Sequence, residues 1–163
     1  MSVRDEILRA NERYASQFRK GDLPMPPARR FAVVTCMDAR LDPARFLGLE
    51  EGDAHVIRNA GGLVTDDALR SLVISHWLLG TGEFFVVAHT GCGMLTFTNE
   101  DVQTLLRERV GVEATEIDFH PFPDLDESVR ASVRRVRESP FLADVPVSGW
   151  VYDVTTGRLR EVA

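Results

Sequence analysis

Five side chains capable of metal or proton chemistry follow two apolar segments, at residues 31–34 and 84–88. They are Cys36, Asp38, Arg40, His89 and Cys92. Short apolar runs are typical of buried parallel strands, and ligands bind where the carboxyl ends of such strands meet. Two thiolates, one imidazole and one carboxylate form a four-donor set that suits Zn²⁺. We therefore expect a zinc site built from Cys36, Asp38, His89 and Cys92, with Arg40 beside it.

Cys36 and Cys92 are the only cysteines in the chain, and they allow three interpretations. The first interpretation is a disulfide, although structural disulfides are rare in a reducing compartment. A pair of buried apolar thiols is the second, because free cysteine is commonly a core residue. Metal ligation is the third, and it is favoured because each cysteine stands beside a second potential ligand at the end of a strand.

The composition restricts the classes of partner. The formal net charge is −6, so nucleic acids and anionic membrane surfaces repel the chain on average. No apolar run approaches the ~20 residues that cross a bilayer, and the first residues lack the apolar run of a secretory signal. We expect a cytoplasmic protein that binds neither nucleic acid nor membrane.

Apolar spacing and turn residues predict alternating strands and helices. The expected strands occupy residues 31–35, 54–58 and 84–88, and a terminal hairpin spans residues 147–162 around Gly157. Helices are expected to begin at Asp42 and to span residues 65–80, 98–109 and 124–138, with an irregular connection over 111–123. The predicted fold is α/β: a three-layer sandwich with a central mostly parallel sheet of four parallel strands plus an antiparallel edge strand. With 163 residues, the chain is expected to form a single domain.

Residues 1–22 are expected to form a helical arm on this domain, with an amphipathic helix over residues 2–20. Apolar side chains recur there at spacings of three and four, and a proline-rich segment follows at residues 23–27. A helix tethered in this way either lies on the protein surface or packs on a partner subunit. The sequence leaves both possibilities open.

The complete pattern resembles the β-class carbonic anhydrases. Cysteine is followed two and four residues later by aspartate and arginine, and a distant His-x-x-Cys completes the motif. The likeness extends to the segment Arg58-Asn59-Ala60-Gly61, to the residues around His89 and Cys92, and to the N-terminal helix. It covers nearly the whole chain, and the combined motif is specific.

The resemblance implies a zinc-bound hydroxide that attacks carbon dioxide, yielding bicarbonate and a proton. It implies that Cys36, His89 and Cys92 are permanent zinc ligands and that Asp38 and Arg40 form the family's catalytic dyad. It also implies a site at a dimer interface, so we expect a homodimer or a dimer of dimers. Relatives with the same zinc motif hydrolyse carbon disulfide or carbonyl sulfide, and this remains an alternative activity.

Charge counting independently explains why Asp38 must be able to leave the metal. Zinc with two thiolates and a carboxylate carries one negative charge and has no open position, whereas without Asp38 the site is neutral and has room for water. Arg40 is spaced to hold Asp38 away through a charge-assisted pair.

Two readings from other functional classes stay open. A non-catalytic zinc- or bicarbonate-binding module could use the same donors, although structural zinc sites usually contain Cys-x₂-Cys pairs. A nucleotide-binding fold could use Gly61 and Gly62, but the chain lacks the glycine-rich fingerprint and the phosphate-binding lysine motif.

Overall fold

A five-stranded sheet forms the centre of the protein in the computed structural model, which describes residues 2–163. Met1, the first residue of the expected arm, lies outside the described residues. The strands are β1 (Phe31–Cys36), β2 (Ala54–Asn59), β3 (Glu83–His89), β4 (Val147–Tyr152) and β5 (Leu159–Glu161). Their order in the sheet is β2-β1-β3-β4-β5, with the first four parallel and β5 antiparallel to β4. The predicted α/β fold with its antiparallel edge strand is confirmed.

Five helices accompany the sheet: α1 (Val3–Gln17), α2 (Pro43–Phe46), α3 (Asp66–Trp77), α4 (Asn99–Val110) and α5 (Leu125–Arg137). A short 3₁₀ turn, Gly93–Leu95, was not predicted from the sequence. Residues 111–123 contain neither helix nor strand, as expected. Among residues 2–163, no helix is both long enough and apolar enough to cross a membrane.

Helices α3 and α5 pack on the same face of the sheet. Leu72 of α3 and Val133 of α5 belong to one buried apolar cluster with Val34 of β1 and Phe84 of β3. Every residue of β1 is buried, so this central strand is covered on both faces, as its continuous apolar sequence predicts. At the carboxyl ends of the strands, Phe46 of α2 stacks on the ring of Tyr152, with 4.5 Å between the ring centroids.

Helix α1 extends away from this core. Ser2 caps it through a reciprocal pair of hydrogen bonds with Asp5, and none of its residues is buried. Its apolar side chains face outward; Ile7, for example, is 62% exposed. The base of the arm is held by polar contacts, with the Tyr14 hydroxyl donating to Glu51 at 3.0 Å and Lys20 pairing with Glu50 at 3.1 Å.

Gly149 sets the distance between β4 and α5. A Cβ atom at this position would lie 2.5 Å from Cγ1 of Val129 and 2.9 Å from Cγ2 of Val133. Both valines are buried on the inner face of α5, so neither has space to move away. Glycine is therefore required here for close packing of helix on strand.

We expect Gly149→Ala to lower the free energy of unfolding by about 1–3 kcal/mol, because the added methyl overpacks the core. Urea denaturation monitored by circular dichroism would measure this loss. Gly82→Ala is the matched control, since a Cβ there meets no atom within 4 Å. Equal stability of the two variants would contradict the packing argument.

Candidate metal centre

Three of the predicted donors converge at the carboxyl edge of the sheet. Cys36 ends β1, His89 ends β3 and Cys92 follows in the next turn. The two Sγ atoms and one imidazole nitrogen all lie within 4.8 Å of one another, and all three side chains are buried. Among residues 2–163, no other group of three His, Cys, Asp or Glu side chains is clustered in this way.

The two cysteines are free thiols. Their Sγ atoms are 4.0 Å apart, about twice the ~2.05 Å length of a disulfide bond. The structure therefore shows neither a disulfide nor an isolated pair of core residues, because an imidazole nitrogen completes the group.

The imidazole of His89 is oriented by its own backbone neighbour. The carbonyl of Thr90 can only accept a hydrogen bond, so Nδ1 of His89 carries the proton and donates to it at 2.9 Å. Nε2 consequently presents its lone pair to the cysteines. It is the only buried side-chain nitrogen or oxygen of residues 2–163 that has no hydrogen-bond partner.

An unpartnered buried polar atom carries a desolvation cost of about 1–3 kcal/mol. A cation would remove that cost at Nε2. Two sulfur donors and one imidazole nitrogen form a donor set that zinc prefers. The residues present at this site therefore fit a zinc ion.

The protonation of the two thiols is unequal. The Cys92 thiol beside Cys36 lowers the pKa of Cys36 below its usual range, against the opposing effect of burial, and the backbone amides of Asp38 and Gly61 lower it further. The same contact raises the pKa of Cys92. Burial alone would lower the pKa of His89, but Cys36 and the Thr90 carbonyl outweigh burial and raise it. The paired sulfurs therefore share one proton readily.

Asp38 lies next to the three donors, and Arg40 holds both of its oxygens. The Arg40 Nε donates to Oδ1 at 2.9 Å, its Nη2 donates to Oδ2 at 2.7 Å, and its backbone amide donates to Oδ1 at 2.9 Å. These bonds keep the pKa of Asp38 well below its usual range. Oδ2 is 3.6 Å from Nε2 of His89, so the held carboxylate faces the donor cluster.

Arg40 also connects the two segments that carry the donors. Besides holding Asp38, its Nη2 donates to the carbonyl of Gly91 at 2.9 Å. The segment after β1 is thereby tied to the segment between His89 and Cys92. Three of the four donors expected from the sequence lie together in the structure. The fourth, Asp38, lies beside them and is hydrogen-bonded to Arg40.

Several residues that shape the site were not assigned a role from the sequence. Gly62 adopts a φ of +64°, and a Cβ there would lie 2.8 Å from the backbone nitrogen of Cys36. Because residue 62 has no side chain, it can approach the protein's own main chain this closely. Met94 and Phe122 form an apolar cluster with the two cysteines, and neither had a signal in the residue spacing.

Comparisons with known proteins agree with this geometry. The family model described as "Carbonic anhydrase" matches residues 31–159. Beta-carbonic anhydrase 1 of Mycobacterium tuberculosis is 51% identical over 165 residues, which cover 99% of each chain. A carbon disulfide hydrolase of an Acidianus species is 38% identical over 96% of this chain and 87% of that protein.

The fold gives the same result. The crystal structure of a carbonic anhydrase from Streptococcus mutans superposes with a TM-score of 0.95 at 49% sequence identity, covering 100% of this chain and 99% of the other. The matched segment includes the three clustered donors and the Asp38–Arg40 pair. This chain therefore belongs to the β-class carbonic anhydrase family of enzymes.

Proposed function

We propose that the protein catalyses the reversible hydration of carbon dioxide to bicarbonate and a proton, with one zinc ion held by Cys36, His89 and Cys92. The observation that carries the proposal is the unpartnered Nε2 of His89, buried beside two free thiols and facing a carboxylate held by Arg40. A purely structural zinc site has no use for that neighbouring pair, which favours an enzyme over a non-catalytic module.

The residues at the site have separate tasks. When bound, zinc supplies the Lewis acidity that makes water a nucleophile near neutral pH. Two thiolates would balance the two positive charges of a bound ion, while the Thr90 carbonyl keeps the proton of His89 on Nδ1. Oδ2 of Asp38 faces the cluster and would accept a hydrogen bond from the reacting water.

The apolar surroundings suit a neutral substrate. Leu41, Met94 and Phe122 are buried against the two cysteines, so the polar groups of the site border an apolar wall. Carbon dioxide carries no net charge and needs no ionic anchor. The same reasoning applies to carbon disulfide and carbonyl sulfide, and the similarity to a carbon disulfide hydrolase keeps their hydrolysis as a second candidate activity.

We also propose that residues 1–163 form one domain, located in the cytoplasm, that assembles as a homodimer or a dimer of dimers. The single sheet supports one domain. A reducing compartment would keep the two thiols free for a metal. The outward apolar side chains of α1 support assembly, because nothing in the described part of the chain covers them.

Stopped-flow hydration of carbon dioxide by the zinc-loaded protein tests the activity, with carbon disulfide and carbonyl sulfide assayed in parallel. We expect about one zinc per chain by elemental analysis, and we expect His89→Gln to lose most of both zinc and activity. His55→Gln is the matched control, because His55 bonds Ser75 at 2.7 Å and is not part of the donor cluster. Full zinc content in His89→Gln would refute the ligand assignment, and hydrolysis of carbon disulfide alone would establish the second activity.

Removal of the Arg40 guanidinium frees Asp38 from its partner. Loss of the hydrogen bonds between Arg40 and Asp38 weakens the equilibrium that holds Asp38 in place by roughly ten- to a hundredfold. We expect Arg40→Ala to retain zinc and to lose activity by a similar factor. Activity and zinc content would be measured on the same samples.

Arg45→Ala provides the control for Arg40→Ala. Arg45 also approaches an aspartate, Asp42, but at 3.9 Å on an exposed surface, where such pairs contribute little. We expect this variant to match the wild type. An Arg40→Ala enzyme with full activity would mean that Arg40 has no part in catalysis.

The role of α1 in assembly can be tested with one added charge. Ile7→Asp places a carboxylate on the apolar face, and burying it against a partner would be costly. We expect sedimentation velocity to show dissociation at concentrations where the wild type is associated. Ser16→Asp adds the same charge to the opposite side of the helix and should leave association intact. A monomeric wild type would contradict the assembly proposal.

A further inference from the structure

Strand β2 supplies no donor to the metal centre, yet its last two residues contact the segment that does. In the parallel register of β1 and β2, Thr35 pairs with Arg58 and Cys36 pairs with Asn59. The segment from Cys36 to Asp38 leaves β1 at this point. The end of β2 therefore lies beside the main chain that carries a thiolate and a carboxylate.

The side chain of Arg58 makes two hydrogen bonds to this main chain. Its Nε donates to the carbonyl of Cys36 at 2.9 Å, and its Nη2 donates to the carbonyl of Asp38 at 2.8 Å. Between these two bonds, the amide of Met37 donates to the carbonyl of Asn59 at 2.8 Å. Each of the three residues from Cys36 to Asp38 is thus fixed by one bond from the end of β2.

The guanidinium of Arg58 bonds these carbonyl oxygens and forms no ion pair with a carboxylate of residues 2–163. No carboxylate among residues 2–163 lies within ion-pair distance of its guanidinium. A planar guanidinium holds its donors in a fixed relative geometry, so one side chain can bond two carbonyls at once. The absence of a carboxylate leaves that geometry undisturbed by a competing acceptor.

Two arginines consequently hold Asp38 from opposite ends. Arg40 binds the carboxylate, and Arg58 binds the carbonyl of the same residue. Arg40 restrains the side chain of Asp38 and does not bond its carbonyl. Arg58 restrains that carbonyl, behind a carboxylate that lies 3.6 Å from Nε2 of His89.

We propose that Arg58 is a positioning residue, which sets the orientation of Cys36 and Asp38 through the backbone and touches neither the metal nor the substrate. The inference rests on the proposed function, because orientation matters here for zinc ligation and for the carboxylate that faces the cluster. Groups that orient metal ligands from behind change metal affinity or activity about ten- to a hundredfold when removed.

The test compares Arg58→Met and Arg58→Lys with the wild-type holoenzyme. We expect Arg58→Met to lower kcat for carbon dioxide about ten- to a hundredfold with little change in KM. Arg58→Lys retains the charge but carries its donors on a single nitrogen instead of a planar fork, so we expect an intermediate loss. Arg30→Met is the matched control, since Arg30 also donates its Nε to a carbonyl, that of Gly80 at 3.0 Å.

A second readout does not depend on turnover. Substitution of zinc by Co²⁺ gives a visible absorption spectrum that reports the arrangement of the donors. We expect both Arg58 variants to shift this spectrum and Arg30→Met to leave it unchanged. A purely structural role would lower the melting temperature of all three variants without moving the spectrum.

The proposal is overturned if both Arg58 variants keep the wild-type cobalt spectrum and a kcat within twofold of the wild type. Should Arg58→Met fail to fold, the spectrum and kcat of Arg58→Lys decide the outcome. A wild-type enzyme that binds cobalt but does not hydrate carbon dioxide would refute the proposed function. The spectral comparison would still test the positioning role in that case.

Discussion

The parallel pairing of β1 with β3 is the constraint on which the candidate metal centre depends. Its register places Thr35 level with Val87, so the two strands reach the same edge of the sheet within one residue of each other. Cys36 and His89 are the last residues of their strands, and Cys92 needs only a tight turn to join them. A shift by one residue would turn each side chain to the opposite face of the sheet. Because β1 is buried on both faces, such a shift would require the core to be repacked on both sides of the sheet.

Without a cation, the candidate metal centre carries the desolvation cost of its buried polar groups. A bound cation would compensate that cost. Two thiols and an imidazole are buried together, and one imidazole nitrogen lacks a partner. Burial disfavours any uncompensated charge, so the sulfurs cannot both ionise unless positive charge arrives. The Asp38–Arg40 pair is neutral as a unit and adds no net charge to the site. The same arrangement therefore favours the binding of a cation and positions the carboxylate of Asp38 beside it.

The sequence predicted the fold and the clustering of Cys36, His89 and Cys92 because both follow from strong local signals. Continuous apolar runs identify buried parallel strands, and polar residues at their ends identify the edge that binds ligands. The helix α5 was predicted closely, since its buried valines, Val129, Val133 and Val136, recur at spacings of four and three and arginines occupy its exposed face. Boundaries were less accurate: α1 ends at Gln17 instead of residue 20, where the chain turns towards its contacts with Glu50 and Glu51.

Other features could not be predicted because they depend on distances across the fold. The Thr90 carbonyl that fixes the tautomer of His89 is a backbone group, which every residue possesses. Arg58 stood in a recognised motif, but its acceptors are carbonyls about 20 residues earlier in the chain. The sequence offered Gly62 for a nucleotide-binding turn, whereas its close approach to the backbone of Cys36 is visible only in three dimensions. Spacing reveals which donors a chain has, whereas main-chain contacts determine where those donors point.

The polar groups and the apolar groups around the candidate metal centre contribute differently. The polar groups supply the chemistry, and the apolar groups limit which substrate fits. The polar side consists of the charged groups and the clustered potential ligands, and these border an apolar wall in which Met94 and Phe122 pack with the cysteines. A linear neutral molecule offers almost nothing for the polar side to recognise before it reacts. Discrimination between carbon dioxide and its sulfur analogues therefore depends on size and on the apolar wall, since their difference is mainly one of bulk. Phe122 and Met94 both approach Gly61, where even a Cβ would lie 2.9 Å from the Phe122 ring and 3.2 Å from Cγ of Met94. That crowding limits how far either side chain can move towards Gly61 to admit a larger substrate, which favours carbon dioxide over its sulfur analogues.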